Sequence, residues 1–492
     1  MNAWPPQPLI YEINAQVWLE ELRQRHGDEL DLGTIPSESW DAIAELGVDA
    51  VWLMGVWQRS PAGRAVAMQN EALMAEFQRA LPDLEDDDIL GSAYCVRQYI
   101  ADEALGGPQA LARARRELAR RNMRLILDYV PNHVAPDHPW CVEHPEYFIP
   151  GTIEDLERDG SAFLKVGDHV MACGRDPSFS PWQDVVQVNA FHQGLREAAI
   201  VAATEIALQC DAMRCDMAML VMNSIFARTW GRRAGDMPDE DYWPQVIRAV
   251  KAHCPDVRFI AEAYWDLEAD LQQQGFDYCY DKRLYDRLKY DSAESVRLHL
   301  LADLTYQSRL VRFIENHDEA RAAAVFPRDK HQAVAIAALT LPGARLLHEG
   351  QFEGRTVRIP VFLRRRPTET VDGQIEAFYH ELLDAVAGEP FRQGQWELCS
   401  RNGWADNSSF ANIVAWCWRY ESECRLVVVN LSERRSQATV RLPWRELAGR
   451  PWLLRDAFSD TAFDRQGDEM LDPGLFVDLE GWKYHLLEFS LA

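Results

Sequence analysis

The stretch MRLILDYV, Met123 to Val130, is nearly all apolar and does not alternate between apolar and polar positions. A strand with one wet face alternates with period two. A strand covered on both faces reads as a continuous apolar run, and parallel sheets flanked by helices are where such strands occur. The segment just before it, GPQALARARRELARRN (Gly107 to Asn122), repeats its apolar residues at helical spacing and predicts an amphipathic helix. A helix feeding a doubly buried strand is the repeating unit of an α/β fold.

The unit recurs in both directions. Toward the N-terminus, LIYEINAQVW (Leu9 to Trp18) reads as a strand and SESWDAIAEL (Ser37 to Leu46) as a helix, with Ser37 or Ser39 placed to cap it. GVDAVWLMGVW (Gly47 to Trp57) is another buried strand. Toward the C-terminus, FHQGLREAAIVAATEIALQ is helical, DAMRCDM a strand, DYWPQVIRAVKAHC a helix and VRFIAEAY a strand. FDYCYD and RLVRFIEN follow as strands, DKHQAVAIAALTL as a helix and ARLLHEG as a strand. Eight strand candidates separated by helices predict a (β/α)8 TIM barrel.

Two segments break the rhythm. Residues Ala135 to about Val186 are polar, aromatic and proline-containing, and too long for a simple loop, so a subdomain inserted after strand three is expected. Gln58 to Ser92 has a helical middle, NEALMAEFQRAL, and ends in the acidic run PDLEDDD. It reads either as a rim or as a solvated surface loop. Past Gly388 the pattern becomes antiparallel: NIVAWCWRY, CRLVVVNLS, QATVRLP and KYHLLEFSL alternate as strands with turns between them, as in a C-terminal β-sandwich. The expected domains are a catalytic barrel over residues 1–134 and 187–388, an insert over 135–186, and a sandwich over 389–492.

A chain of 492 residues is too long for one ordinary core, and 47% hydrophobic with 26% charged residues is the balance of a globular protein. No apolar run approaches the roughly 18 residues that span a bilayer. The start, MNAWPPQPLIYEI, has no basic region, apolar core or cleavage site of an export signal, so a cytoplasmic location is expected. Ten scattered cysteines without a C-x-x-C pair read as small buried hydrophobes, against zinc or disulfide roles. A net charge of −26 opposes nucleic acid and anionic membranes as partners. It does not oppose a neutral substrate, and 17 tryptophans with 15 tyrosines supply flat faces of the kind that stack on sugar rings.

Barrel chemistry sits at the C-terminal ends of the strands. Strand three ends in DYVPNHV, giving Asp128, Asn132 and His133. Strand four ends in MRCDM, giving Arg214 and Asp216, strand five in IAEAY, giving Glu262, and strand seven in IENHDE, giving Asn316, His317 and Asp318. A single acid after an apolar run is more often a helix-entry charge than a catalyst. Four polar strand ends around one barrel mouth are harder to explain by packing alone.

These four segments resemble the four signature regions of the α-amylase family of retaining glycoside hydrolases and transglycosylases. DYVPNH is similar to the first, DAMRCDMA to the second, IAEAY to the third and IENHD to the fourth, in the same order. The resemblance implies a nucleophile at Asp216, a general acid/base at Glu262 and a transition-state-stabilising carboxylate at Asp318. It implies that Arg214 orients the nucleophile, that His133 and His317 bond sugar hydroxyls, and that Asp128 lies among the substrate-binding positions. GSAYCVRQY (Gly91 to Tyr99) resembles the segment whose tyrosine stacks on the sugar, here Tyr94. Cleavage with retention needs a nucleophilic carboxylate about 5–5.5 Å from a carboxylic acid. Arg214, two residues before Asp216, shares its face of the strand and favours its ionised form. Tyr264, Trp265 and two ionised aspartates are expected to keep Glu262 protonated.

One departure limits the resemblance. Many amylases follow the nucleophile with a Lys-His pair that helps bind the next sugar and calcium, but Asp216 is followed by Met217, Ala218, Met219 and Leu220. Calcium remains possible at Asn132, whose amide oxygen suits that ion, and no cofactor is expected to be required. The expected partners are an oligosaccharide or α-glucan and a possible acceptor sugar. Hydrolysis and glycosyl transfer stay open, as do two alternatives: a sugar phosphorylase, with Arg59, Arg64, Arg175 or Arg233 near the mouth, and a non-catalytic carbohydrate-binding scaffold.

Overall fold

The computed structural model describes residues 4–492. The eight predicted strands are present at Leu9–Asn14, Ala50–Met54, Arg124–Tyr129, Ala212–Cys215, Arg258–Ala261, Tyr278–Tyr280, Leu310–Arg312 and Ala344–His348. They form a closed barrel in which each strand neighbours the next in chain order and the last neighbours the first. The pairing is parallel, as between Arg124–Tyr129 and Ala212–Cys215 and between Ala212–Cys215 and Arg258–Ala261. All six residues of Arg124–Tyr129 are buried, as the unbroken apolar run requires. The helix before it, Gly107–Arg120, buries Ala110, Leu111, Ala114 and Leu118 on one face and leaves its arginine-rich face wet.

By compactness the chain divides into two units. The first comprises Tyr11–Tyr280 and Val357–Thr368; the second comprises the segment ending at Ile10, Asp281–Thr356 and Glu369–Ala492.

Within the first unit, the segment after strand three forms a four-stranded antiparallel sheet in the order Phe163–Val166, His169–Gly174, Trp182–Gln187, His133–Val134. Val134, Cys141, Phe148, Met171, Val186 and Val188 pack as its core. The Gln58 to Ser92 segment is no solvated loop. It holds helices Pro61–Gln69 and Glu71–Ala80, capped by Ser60 and Asn70 through their side-chain oxygens. Phe77, Ala80, Leu81 and Ile89 pack with Ile359 and Leu363. In the acidic run, Asp88 is buried and takes a two-pronged ion pair from Arg365 at 2.7 and 2.8 Å. That pair anchors the run to the protein where the sequence alone suggests repulsion.

Within the second unit, the C-terminal region forms a six-stranded sheet and a three-stranded sheet, antiparallel throughout their pairings. Strand Ile413–Tyr420 shows why both its faces are apolar. Ile413, Ala415 and Cys417 point into the sandwich core. The alternate residues Trp416 and Trp418 donate their indole N–H groups to the Thr340 carbonyl, at 3.1 and 2.7 Å, after helix Arg328–Leu339. Gly343 opens strand eight with φ 109°, where a Cβ would stand 2.3 Å from the Leu310 carbonyl oxygen, so only glycine fits. None of the ten cysteines is in a disulfide, and nine are buried. No helix among the described residues is long and apolar enough to cross a membrane.

Candidate active site

The site in the first unit is assembled by strand register. Arg214 pairs with Asp128 on one neighbouring strand and with Ile260 on the other. Beyond the paired stretch the ladder continues: Asp216 N–H donates to the Tyr129 carbonyl at 2.8 Å and Glu262 N–H to the Cys215 carbonyl at 3.0 Å. The two acids therefore leave adjacent strands at the same level. Cys215, between Arg214 and Asp216, is fully buried and points the other way, toward Tyr99, Tyr129 and Tyr242. Burial pushes its thiol well above the ordinary range.

Arg214 is the centre of the arrangement, with 1% of its surface exposed. Its Nη1 lies 2.8 Å from Asp216 Oδ1 and 3.6 Å from Asp128 Oδ1, and its Nη2 lies 2.8 Å from Glu262 Oε2. The rings of Tyr94, Trp52 and Tyr280 surround the guanidinium, with centroids 5.1, 5.2 and 5.7 Å away. Burial works against its charge, but Glu262, the two phenols and Asp216 outweigh that and hold its pKa above the usual arginine value. Sequence reasoning gives Arg214 to Asp216 alone; in the structure one guanidinium serves both acids.

Glu262 is 2% exposed and is held by two further donors. Tyr264 O–H donates to Oε1 at 2.9 Å and Met217 N–H to Oε2 at 2.6 Å. Met217 can do so because its backbone is left-handed, at φ 41° and ψ 48°, which turns its N–H toward the fifth strand. A bulky residue in that region carries strain, and such strain gathers at functional sites. Asp128 is buried: Oδ2 accepts from Trp52 Nε1 at 3.1 Å, and its carbonyl from Trp57 Nε1 at 2.8 Å.

His133 is buried and packs against Trp182 at 5.3 Å between centroids. Burial drives its pKa down to about 4, only partly opposed by its bond to the Tyr94 main chain, so its imidazole is neutral near pH 7. Tyr94, half-buried, donates its main-chain N–H to Ser92 Oγ at 3.1 Å.

His317 and Asp318 belong to the second unit, in the segment following strand seven. Asn316 Oδ1 accepts from the N–H groups of Asp318 and Glu319 at 3.0 and 2.9 Å, a turn that fixes the segment. His317 is buried with Nε2 3.0 Å from Asp318 Oδ2, while the Asp318 side chain is 43% exposed. The other predicted acids and their arginine are brought together in the first unit. Trp52, Tyr280 and the Met217 N–H carry no signature in the sequence, because nothing local marks a tryptophan, a tyrosine or an amide as lining an arginine or capping an acid.

The sequence leaves calcium possible at Asn132, and the residues there do not fit it. Both Asn132 oxygens face the buried Gln187 amide: Nε2 donates to the Asn132 carbonyl at 2.8 Å, to Oδ1 at 3.0 Å and to the Val188 carbonyl at 3.1 Å. A neutral N–H donor stands where oxygen ligands would converge on a cation. Among the described residues no group of three or more His, Cys, Asp or Glu side chains is placed to hold a metal ion.

The (β/α)8 barrel with an insert after strand three and C-terminal antiparallel sheets is the fold of known alpha-amylases, and the chain is similar to such proteins in sequence as well as in fold. It is 23% identical over 455 residues to alpha-amylase MalA of Haloarcula japonica, covering 90% of this chain and 57% of that protein. It is 22% identical over 280 residues to alpha-amylase 3 of Dictyoglomus thermophilum, covering 52% of each. The chain thus spans little more than half the length of these curated relatives. No protein-family model matches it. Among solved structures, a maltogenic alpha-amylase from Thermotoga neapolitana superposes with a TM-score of 0.71 at 18% identity, with 99% of each chain covered. An alpha-amylase from Geobacillus thermoleovorans, solved with acarbose, gives 0.68 at 17% identity, covering 100% of this chain and 99% of the other.

Proposed function

We propose that the protein is a retaining α-glycosidase that hydrolyses or transfers α-linked glucosyl units of oligosaccharides or glucans. The observation that carries this reading is the single buried guanidinium within 2.8 Å of both Asp216 and Glu262. It keeps two carboxyl groups within the span of one side chain, as a double-displacement mechanism needs.

In this reading Asp216 attacks the anomeric carbon while Glu262 gives a proton to the departing glycosidic oxygen, so the glycosidic bond breaks as the Asp216 ester forms. Glu262, now a carboxylate, takes a proton from water or from an acceptor hydroxyl, whose oxygen displaces Asp216. The resemblance gives Asp318 the role of stabilising the oxocarbenium-like charge in the transition state of each step. His133, neutral through its burial, and His317 bond sugar hydroxyls, Tyr94 stacks on the sugar ring, and Asp128 holds Arg214 in place.

The phosphorolytic alternative lacks support from the four arginines it needs. Arg59 is bound to the Gly91 and Val361 carbonyls, Arg64 to those of Ile89 and Asp86, Arg175 to that of Thr229, and Arg233 to the Pro150 carbonyl and Asp155. A scaffold role is not favoured either, since three acids and their arginine are all present. The test is proton NMR of the anomeric product from maltooligosaccharides, with and without an added acceptor sugar. Initial release of the α-anomer supports the reading. Release of the β-anomer, or no conversion of any α-glucoside, overturns it.

A further inference from the structure

A cleft of about 610 Å3 opens on the C-terminal domain, far along the chain from every residue of the candidate active site. Trp404, Phe476, Asn402, Thr439, Arg441 and Asp472 line it. We propose that this cleft is a second carbohydrate site that holds a short segment of an α-linked glucan. The inference rests on the proposed function for the identity of the sugar, but not for the existence of the site.

Two large aromatic rings sit side by side there without serving the core. Phe476 lies on strand Leu475–Leu479, whose Leu475, Val477 and Leu479 enter the sandwich core. Period-two alternation therefore turns Phe476 outward, where it is 49% exposed. Trp404 is 43% exposed and is fixed by a tight turn whose main-chain N–H and carbonyl both pair with Asn407. The two rings meet at 5.8 Å between centroids and 62° between planes, which forms a corner of two partly exposed rings.

Polar groups share the cleft. Thr439, directly opposite Phe476 in the sheet, also points outward between the core residues Ala438 and Val440. Arg441 and Asp472 pair at 2.7 Å with 52% and 81% of their side chains exposed. An ion pair so wet adds little to stability, so its donors and acceptors are available to a ligand at small cost. The ligand must then have apolar faces for the rings, hydroxyls that both donate and accept, and no net charge. The net charge of −26 disfavours a polyanion, and a neutral sugar segment meets all three conditions. The volume lies within the roughly 300–1,000 Å3 of small-molecule sites.

The experiment uses the full chain and four forms: wild type, Trp404→Ala, Phe476→Ala and Phe476→Tyr. Electrophoresis through gels containing soluble starch measures binding, and turnover is compared on starch and on a short maltooligosaccharide. The expected result is that each alanine variant loses about tenfold in starch affinity. Its kcat/KM on the short substrate stays at the wild-type value, its Tm stays unchanged, and Phe476→Tyr binds like wild type. Starch retardation by either alanine variant equal to that of wild type overturns the proposal. So does a concentration-dependent self-association that the alanine variants abolish while no glucan binds, which would assign the cleft to a second copy of the chain. If wild type is retarded through Trp404 and Phe476 yet converts no glucan, the cleft stands and the proposed activity falls.

Discussion

The main-chain N–H of Met217 donates to Oε2 of Glu262 across 2.6 Å, and the same oxygen lies 2.8 Å from Arg214 Nη2. The residue after one candidate catalytic acid thus positions the other. The left-handed turn at Met217 couples the two strand ends, and Arg214 ties them a second time.

That double tie sets the expectation for Arg214→Met. It leaves three carboxyl groups and a cage of rings around a vacated charge. Removing one partner of a buried ion pair costs about 3–5 kcal/mol, so urea denaturation should show a loss of that size together with collapse of kcat. Arg214→Lys keeps the charge but cannot reach Asp216 and Glu262 with one planar fork. Its stability should lie between wild type and Arg214→Met, with kcat reduced by about 10²–10³.

Glu262→Gln should lower kcat by about 10²–10⁴ on natural glucosides. A dinitrophenyl glucoside, whose leaving group needs no proton, should lose much less in its first step. Asp216→Asn should abolish turnover on both substrates with an unchanged circular dichroism spectrum. Equal losses on both substrates for Glu262→Gln would remove it from the acid role.

Asp184, buried in strand Trp182–Gln187, has its pKa raised by burial to about 6. Folding therefore takes up a proton between about pH 4 and pH 6, and the stability of the chain falls as pH rises through that window. Asp184→Asn should remove the penalty: at pH 7 it should gain up to about 3 kcal/mol over wild type, with the gain vanishing near pH 4. Paired denaturation curves across pH 4 to 8 give the difference directly. His133 works in the opposite sense. Its depressed pKa means that stability is lost as pH falls from about 6.5 toward about 4, and no limb of the activity profile above pH 5 should belong to it.

The Gln187 amide predicts indifference to calcium. Treatment with EDTA, followed by calcium at millimolar concentration, should leave Tm and activity unchanged. Gln187→Glu puts a carboxylate among the Asn132 and Val188 oxygens, so it should lower Tm, and calcium should restore part of the loss by neutralising that charge. A drop in the wild-type Tm on chelation, reversed by calcium, would contradict this account.

The amino-acid order by itself determined the barrel, the insert after strand three and the C-terminal sheets. Their signals are local: unbroken apolar runs for doubly buried strands, helical spacing between them, and alternation once the sheets become antiparallel. It also named the polar residues at the strand ends, because a charge closing an apolar run stands out in one dimension. The fate of the Gln58–Ser92 segment was not legible, since its acidic run looks solvated until Arg365, nearly three hundred residues on, meets Asp88. The sharing of Arg214 between Asp216 and Glu262, its enclosure by Trp52, Tyr94 and Tyr280, and the Gln187 donor at Asn132 were likewise decided only in three dimensions. Each depends on side chains from separate elements meeting at a few ångströms. Register and closure of the barrel fix that distance, and no short stretch of sequence encodes it.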